Sequence, residues 1–456
     1  MTGRHGAMLA AIVAFGALLR FSTLGVQNLW LDEAVTAGLL RLDLHDMLAA
    51  ISATESTPPL YYLAGRVWAL LFGTGEVGLR ALSALAGTLT IPVVYAAAAA
   101  LGSRKAGLFA AALTAASPAL VWYSQEARSY ALLVLLCGLS LLFLARALRD
   151  GSGRAVAWWS LTAMLALLTH YFAGFLVAAQ ALWLLAAYPS RRVAVLAVAP
   201  VGACCAALLP LAVRQSGQGN LDFIESTPIA TRAADVGELF LAGPTGGRLD
   251  YGVPLLAALV LLALAPAIGS APVRGAVLLP ASLVLAGISV PLLLALAGLD
   301  YVLARNFLPF WPAAAIVVAM GLSAERSGRL GAAAAAALVG VSLWLVAAVA
   351  LHRTLQRDAV TAALVPGGLD AEEQRVAARV GYAVAGEGEH VRAKAACPEG
   401  YAQTSGGAAW LSSGADEPLP GASTRSSRRG WTASARSLGG DERILSVYAI
   451  CVRPVD

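Results

Sequence analysis

The sequence predicts an all-α polytopic membrane protein that ends in a small extracytoplasmic β-rich domain. The 456-residue chain is 59% hydrophobic and only 13% of its residues are charged, where an ordinary soluble domain has about 25%. Near residue 353 the composition changes, because Gly, Ser and charged residues replace the long apolar runs. A membrane domain therefore precedes a separate tail.

The apolar runs are each close to the ~20 residues that a helix needs to cross a bilayer. Counting them predicts about 11 transmembrane helices. The first run follows Arg4 and has no small-residue cleavage site after it, so we interpret it as an anchor and not as a cleaved signal. The runs lie at about residues 7–24, 79–101, 106–122, 129–147, 155–170, 171–188, 193–213, 253–269, 276–297, 306–322 and 330–351.

One further apolar stretch, from Pro59 to Gly75, is short and carries Arg66. We expect it to lie in the membrane interface, as a juxtamembrane helix of the first outer loop. The Lys and Arg residues of the connecting turns then share one face, which the positive-inside rule identifies as cytoplasmic. This topology predicts a multi-pass plasma-membrane protein with a cytoplasmic N-terminus and an extracytoplasmic tail. The basic residues are Arg104, Lys105, Arg149, Arg154, Arg191, Arg192, Arg274, Arg326 and Arg329.

The predicted organisation is a transmembrane domain at 1–352, an extracytoplasmic linker region at 353–394 with a helix around Ala371–Val380, and a β-rich domain at 395–456. Short strand-like segments near Cys397 and Cys451 bracket Gly/Ser turns. These two cysteines are the only ones outside the apolar runs, and they face an oxidising side. We expect a disulfide between them, which contributes about 4 kcal/mol by restricting the unfolded chain.

Net charge and motifs exclude several classes of function. The net charge of +5 is spread mostly over short cytoplasmic turns that orient the helices, so it does not predict a nucleic-acid partner. The sequence has no P-loop, no zinc-type Cys/His spacing and no dinucleotide fingerprint. We assign no cofactor with certainty, and a divalent cation stays open.

Polar residues collect at the predicted outer ends of the helices. Five segments, far apart in sequence, fall on the same side of the membrane, and this convergence predicts a shared cavity. Carboxylates and cations held at a membrane face are typical of binding or chemistry. The candidate residues are Asp32, Glu33, Glu55, Tyr61, Tyr123, Glu126, Arg128, His170, Tyr301 and Arg305.

Four ordered motifs carry a family resemblance. Over roughly residues 5–325 the chain resembles the bacterial membrane glycosyltransferases of the GT-C fold, in the group related to protein O-mannosyltransferases and to the lipid A aminoarabinose transferase. The motifs are Leu-Trp-Leu-Asp-Glu-Ala at 29–34, Pro-Pro-Leu-Tyr-Tyr at 58–62, the segment 79–87 leading to Ile-Pro-Val-Val-Tyr at 91–95, and Trp-Tyr-Ser-Gln-Glu-Ala-Arg-Ser-Tyr-Ala-Leu at 122–132.

The resemblance implies transfer of a sugar from a polyprenyl-phosphate donor to a lipid, glycan or protein acceptor on the extracytoplasmic face. It also implies that Asp32 is the catalytic base. One departure concerns Thr57, which stands where many relatives carry His or Lys before the two prolines. The role of that basic residue is then missing or supplied elsewhere.

The residue types fit this chemistry without the family. The donor already has an activated leaving group, so a base and cations suffice. Asp32 is our base, and Glu33 or Glu55 orients the sugar or acts on Asp32 through its like charge. Arg128 and Arg305 are the candidates for the phosphate, because guanidinium groups bind its oxygens in pairs. A direct displacement of this kind inverts the anomeric centre.

Each assignment has an alternative. Asp32 is also a good N-cap residue, Glu126 and Arg128 form a plausible helix-end ion pair, and Arg305 has the features of a headgroup anchor. A histidine such as His170 at a helix rim is often structural, and tyrosines at this depth are typical of the aromatic belt. At the level of the whole protein, the competing classes are a polytopic transporter and a non-catalytic scaffold that presents the C-terminal domain.

Overall fold

The computed structural model describes residues 3–26, 29, 31–216, 224, 227–244, 260 and 271–364, together with six strands between 376 and 452. Backbone contacts divide the chain into two compact units, which we treat separately. Unit 1 contains Met1–Ser22, Ser83–Leu209 and Asp222–Val349. Unit 2 contains Thr23–Leu82, Pro210–Leu221 and Ala350–Asp456.

Helices dominate the described residues up to Leu364, as the hydropathy pattern predicts. Two short 3-10 helices, η1 (Ala304–Phe310) and η2 (Glu325–Ser327), flank one of the α-helices. The α-helices are α1 (Gly3–Phe21), α2 (Leu31–Leu39), α3 (Leu44–Thr54), α4 (Leu60–Phe72), α5 (Glu76–Leu101), α6 (Arg104–Ala116), α7 (Pro118–Ser124), α8 (Tyr130–Asp150), α9 (Gly153–Thr169), α10 (Ala173–Ala187), α11 (Arg191–Ser216), α12 (Ile229–Ala242), α13 (Ala271–Leu296), α14 (Trp311–Ser323) and α15 (Gly328–Leu364).

The number of membrane crossings was predicted as about 11. Within the described ranges, 7 helices are long and apolar enough to cross a bilayer, or 8 if the bent pair α6 and α7 is one span. Two further predicted spans are helical but shorter, because α9 has 17 residues and α10 has 15. The predicted span at 253–269 lies outside the described residues, apart from residue 260.

The bent pair in unit 1 has a local cause in the sequence. Pro118 follows Ser117 at the start of α7 and carries no N–H group, so α6 cannot continue through it. The side chain of Ser117 instead caps α7 by accepting a hydrogen bond from the N–H of Leu120 at 3.3 Å. As a result, α6 and α7 are bent by 57°.

The first loop of unit 2 is more helical than the sequence indicated. Its apolar stretch forms α4, the helix that we expected in the interface, and Leu70 and Leu71 on this helix are highly exposed. However, α2 and α3 also occupy this loop. A helix after Asp32 was expected only in the capping alternative, and α3 was not predicted. Both helices are short, and α3 is set by Asp43, whose side chain accepts from the N–H of Asp46 at 2.9 Å.

The strands of unit 2 form two antiparallel sheets of three strands each among the described residues, in the orders β1-β6-β3 and β2-β5-β4. Ala371–Val380 was predicted to be helical, and this is wrong for residues 376–380, which belong to β1. Both β1 and most of β2 lie within 353–394, where we expected a linker. The strands are β1 (Val376–Ala385), β2 (His390–Ala396), β3 (Ala402–Leu411), β4 (Ser423–Ser427), β5 (Gly430–Arg436) and β6 (Arg443–Val452).

Only one of the two predicted disulfide partners lies among the described residues. Cys451 lies in the central strand β6, where its backbone is in register with Ala377 of β1 and Gln403 of β3. Cys397 lies outside the described residues. The disulfide between the two cysteines therefore stays a prediction.

Candidate functional site

The acidic pair Asp32 and Glu33 lies in the first turn of α2, which begins at Leu31. Asp32 is thus the second residue of the helix, next to the position where the capping alternative would place it. The side chain of Asp32 is half-buried, whereas that of Glu33 is fully buried. The positive end of the helix dipole stabilises carboxylates in this turn. The pair thus contains one buried and one partly accessible carboxylate.

Glu33 is held by Arg80 on α5. The Nε of Arg80 donates to Oε1 of Glu33 at 2.7 Å, and its Nη2 donates to Oε2 at 2.5 Å. The remaining Nη1 donates to the carbonyl oxygen of Leu24 at 2.7 Å. The two side chains are 0% and 4% exposed, respectively. A bidentate, buried ion pair therefore fixes α2, whereas the neighbouring Asp32 is partly exposed.

The sequence analysis assigned no role to Arg80, although it quoted this residue within a motif. The available signal was a single arginine within the predicted span at 79–101. Such a cation needs a partner, because an uncompensated charge in an apolar environment is costly. What the sequence could not identify was the partner, which lies 47 positions away.

Glu55 follows the last turn of α3, where its N–H donates to the carbonyl oxygen of Ile51 at 3.2 Å. Its side chain is buried and accepts a hydrogen bond from the hydroxyl of Tyr62 at 2.5 Å. Tyr61 is also buried and packs edge-on against Tyr62, with ring centroids 5.7 Å apart. The structure therefore brings Glu55 and Tyr61 together through Tyr62, which the sequence analysis did not include among the site residues.

Gln215, near the end of α11, is a second residue that the sequence analysis missed. Its buried Nε2 donates to the carbonyl oxygens of Ile51 at 3.0 Å and Thr57 at 3.2 Å. The hydroxyl of Thr57 lies 3.5 Å from that of Tyr62. Thr57 stands where many relatives have a basic residue, and here it is held by uncharged hydrogen-bonding groups.

In unit 1, the segment between α7 and α8 carries Glu126 and Arg128. The indole N–H of Trp122 donates to Oε1 of Glu126, and the Glu126 side chain is buried. The hydroxyl of Ser83 on α5 donates to the carbonyl oxygen of Arg128 at 3.3 Å. These contacts fix the segment at both its acidic and its basic residue.

A row of rings connects this segment to the turn between α9 and α10. Tyr123 packs edge-on against Tyr130 with centroids 5.0 Å apart, and Tyr130 lies 5.9 Å from the ring of His170. His170 also contacts Phe172 at 6.4 Å. Tyr123, Tyr130 and His170 are all buried. They are therefore part of the packed interior of unit 1. The aromatic-belt alternative would instead place such rings at the membrane–water interface.

His170 follows the last residue of α9, and its Nδ1 accepts a hydrogen bond from the N–H of Phe172 at 3.2 Å. Burial, together with the charges of Arg128 and Arg305, lowers the pKa of His170 from 6.5 to about 3. The imidazole is therefore neutral at neutral pH, and its proton is on Nε2 because Nδ1 is an acceptor. The two arginines that we expected to bind phosphate thus both act electrostatically on one uncharged donor.

The segment before Arg305 is held by an ion pair that the sequence analysis did not find. Arg232 of α12 donates from Nη1 and Nη2 to the carboxylate of Asp300 at 2.7 and 2.5 Å, and from Nη1 to the carbonyl oxygen of Val302 at 2.9 Å. The hydrogen bond from Arg232 lowers the pKa of Asp300 below its usual value. Tyr301 beside this pair is 41% exposed, so it is accessible to a ligand.

The two units each gather part of the predicted set. In unit 1 the charges of Arg128 and Arg305 both lower the pKa of His170. Unit 2 contains Asp32, the Glu33–Arg80 pair and the Glu55–Tyr62 pair. Among the residues that the structure describes, no three His, Cys, Asp or Glu side chains are arranged to hold a metal ion.

Comparison with known proteins supports the predicted relationship. The family model described as dolichyl-phosphate-mannose-protein mannosyltransferase matches residues 56–214, which is less than half of the chain. None of the curated proteins matches the chain.

Among solved structures, the chain is similar to ArnT from Cupriavidus metallidurans. In the apo state the identity is 19%, the TM-score is 0.52, and the match covers 72% of this chain and 62% of ArnT. For ArnT bound to undecaprenyl phosphate the values are 20%, 0.51, 78% and 66%. The oligosaccharyltransferase of Archaeoglobus fulgidus in the apo form also matches, at 14% identity and a TM-score of 0.46, over 81% of this chain and 59% of the other.

The two ArnT matches show the fold. The chain is a multi-pass membrane protein with the GT-C fold, and the motif series had predicted that relationship. The match spans less than two thirds of the length of ArnT.

Proposed function

Starting from the GT-C fold that the chain shares with ArnT, we propose that it is a membrane glycosyltransferase. It moves a sugar from a polyprenyl-phosphate donor to an acceptor hydroxyl on the extracytoplasmic face. The observation that carries this proposal is that the charges of both Arg128 and Arg305 help to lower the pKa of the buried His170. Two positive charges that both act on one uncharged donor are suited to an anionic ligand such as a lipid phosphate.

In this mechanism, Arg128 and Arg305 bind the phosphate of the donor, and His170 donates from Nε2. The cations stabilise the negative charge that grows on the leaving phosphate, which is the main requirement when the leaving group is already activated. The published structure of ArnT with undecaprenyl phosphate concerns that protein. It supports a polyprenyl phosphate as the donor class for this chain because the fold is shared.

Asp32 is the base. Its carboxylate takes the proton of the acceptor hydroxyl, the acceptor oxygen forms a bond to the anomeric carbon, and the bond from that carbon to the phosphate oxygen breaks. The electron pair leaves with the polyprenyl phosphate, and the anomeric centre inverts. The partial exposure of Asp32, beside a fully buried Glu33, supports this division of roles.

Glu33 helps to position Asp32, because its ion pair with Arg80 fixes the helix that carries both carboxylates. Glu55 and Tyr61 orient the sugar, and Tyr123, Glu126 and Tyr301 complete the donor site. The acceptor is a lipid, glycan or protein. The C-terminal tail is extracytoplasmic, with a disulfide between Cys397 and Cys451.

The test is a donor panel. Purified protein in nanodiscs is supplied with radiolabelled polyprenyl-phosphate sugars that differ in the sugar, and consumption of each is followed. We expect one sugar class to be consumed by the wild-type protein. Asp46→Asn serves as the matched control for Asp32→Asn, because each residue lies in the first turn of a helix, Asp46 in α3 and Asp32 in α2. If no member of the panel is bound or consumed, the proposed function is wrong.

A further inference from the structure

Arg20 is a fully buried cation at the end of α1, inside the first predicted span. Its Nη1 donates to the carbonyl oxygens of Gly16 and Ala115 at 3.0 Å, and its Nη2 donates to that of Thr114 at 2.9 Å. Its Nε donates to the hydroxyl of Ser124 at 3.2 Å. Within the described part of unit 1, all four acceptors are uncharged oxygens, so this arginine does not serve to neutralise a carboxylate.

The acceptors explain what Arg20 does. Thr114 and Ala115 are in the last turn of α6, where carbonyl groups lose their helical partners. The usual partner of the Thr114 carbonyl is the N–H of the residue four positions later, which is Pro118 and has none. The guanidinium of Arg20 takes the place of the missing donors and brings a positive charge to the negative end of the α6 dipole.

Two glycines leave the space that this arrangement needs. A Cβ atom at Gly16 of α1 would overlap the side chain of Ile91, and one at Gly87 of α5 would overlap the hydroxyl of Ser124. The Cβ at Gly87 would also lie 3.1 Å from Nε of Arg20. Larger residues at either position would displace the group that Arg20 binds or the helix that carries it.

The same contacts continue into the segment that carries Arg128. The Nε2 of Gln125 donates back to the carbonyl oxygens of Leu19 at 2.9 Å and Arg20 at 3.4 Å. Ser124, the acceptor of the Arg20 Nε, is the last residue of α7. The end of α1 is therefore joined to two consecutive residues that precede Arg128 by only a few positions.

We propose that Arg20 is a positioning residue: it holds the break between α6 and α7 and thereby places the 124–130 segment, with Arg128, for donor binding. The part that concerns donor binding rests on the proposed function. Lysine cannot replace Arg20 here, because one ammonium group does not reproduce the planar fork that meets acceptors on three helices.

The first test is independent of any ligand. Hydrogen exchange is followed by mass spectrometry in the wild-type protein and in Arg20→Lys, Arg20→Met and Ser124→Ala, with Arg4→Lys as the matched control on the same helix. Arg4 is exposed. We expect exchange across residues 117–128 to be faster than in the wild-type protein for the first three variants. In the control, exchange should be unchanged. Ser124→Ala removes one acceptor only, so it keeps the test valid if the Arg20 variants do not fold. Unchanged exchange across 117–128 in folded variants would overturn the proposal.

The second test measures the affinity for undecaprenyl phosphate in a double-mutant cycle with Arg128→Ala. Complete loss of the Arg128 contact should weaken binding roughly 10- to 150-fold, so we expect Arg20→Lys, which misplaces Arg128, to weaken binding by up to roughly that factor. In the Arg128→Ala background the same change should have little further effect. Additive losses would overturn the proposed route through Arg128. If the wild-type protein binds no undecaprenyl phosphate while exchange changes as expected, the proposed function fails and the role of Arg20 at the helix break is retained.

Discussion

Arg80 binds both carboxylate oxygens of Glu33, and neither side chain is in contact with solvent to any large extent. The acidic pair that stands out in the sequence is thereby divided, because one carboxylate is committed to an ion pair and its neighbour is partly accessible. This division is the structural basis for treating Asp32 as the base and Glu33 as a residue that fixes α2.

The role of Asp32 can be tested by Asp32→Asn. We expect transfer to be abolished and donor binding to be retained, since phosphate binding does not require a deprotonated carboxylate. Activity is measured beside donor affinity with the sugar donor identified in the panel. Asp46→Asn should keep both. Near-normal transfer by Asp32→Asn would contradict the base assignment.

Removing one partner of the Glu33–Arg80 pair should strongly destabilise the protein. Removing one partner of a buried ion pair leaves an uncompensated charge, which costs about 3–5 kcal/mol. Arg80→Gln should therefore lower the melting temperature in detergent clearly. Arg149→Gln removes the exposed partner of Asp150 and should leave it unchanged, because exposed pairs contribute little. Equal melting temperatures for the two variants would be evidence against a stabilising role.

Arg128 should contribute to donor affinity. Arg128→Ala removes a charge-assisted contact, worth about 1.5–3 kcal/mol, so the Kd for undecaprenyl phosphate should rise roughly 10- to 150-fold. Isothermal titration in nanodiscs provides the measurement. Arg149→Ala, at the opposite end of α8, is the control and should bind normally. A Kd that does not change in Arg128→Ala would remove this residue from the donor site.

The low pKa of His170, about 3 against an ordinary value of 6.5, predicts a pH dependence of stability. Because the folded state disfavours the charged form, the unfolded chain binds the proton first, and the stability from His170 is complete above 6.5 and lost as the pH falls towards 3. Thermal unfolding from about pH 7 to about pH 4 should show this loss. The loss should be smaller in His170→Gln, and equal slopes for both proteins would contradict the prediction.

The topology can be tested by cysteine labelling from outside intact cells in a background without other cysteines. Ser412→Cys in the tail should react with an impermeant reagent, and Ser103→Cys between α5 and α6 should not. Ser103 is exposed in the structure, so its protection would come from the membrane. The reverse pattern would show that the assumed orientation is inverted.

Much of the membrane domain followed from hydropathy, because burial in a bilayer requires long apolar helices and each of these is local in sequence. The interfacial helix at 60–72 was predicted for the same reason. The helix α3 was not predicted, and α2 was expected only in the alternative in which Asp32 caps a helix. Helices of nine and eleven residues with mixed polarity give little periodic signal, and their stability comes mainly from packing.

The sequence by itself determined the membrane class, the position of most spans and the identity of Asp32 as the outstanding carboxylate. Only the tertiary structure decided which polar groups meet. Glu33 meets Arg80 across 47 positions, Asp300 meets Arg232 across 68, and Arg20 reaches Ala115 across 95. The physical reason is that a buried polar group must find a partner wherever the fold provides one, and such partners are set by helix packing, which sequence spacing does not encode.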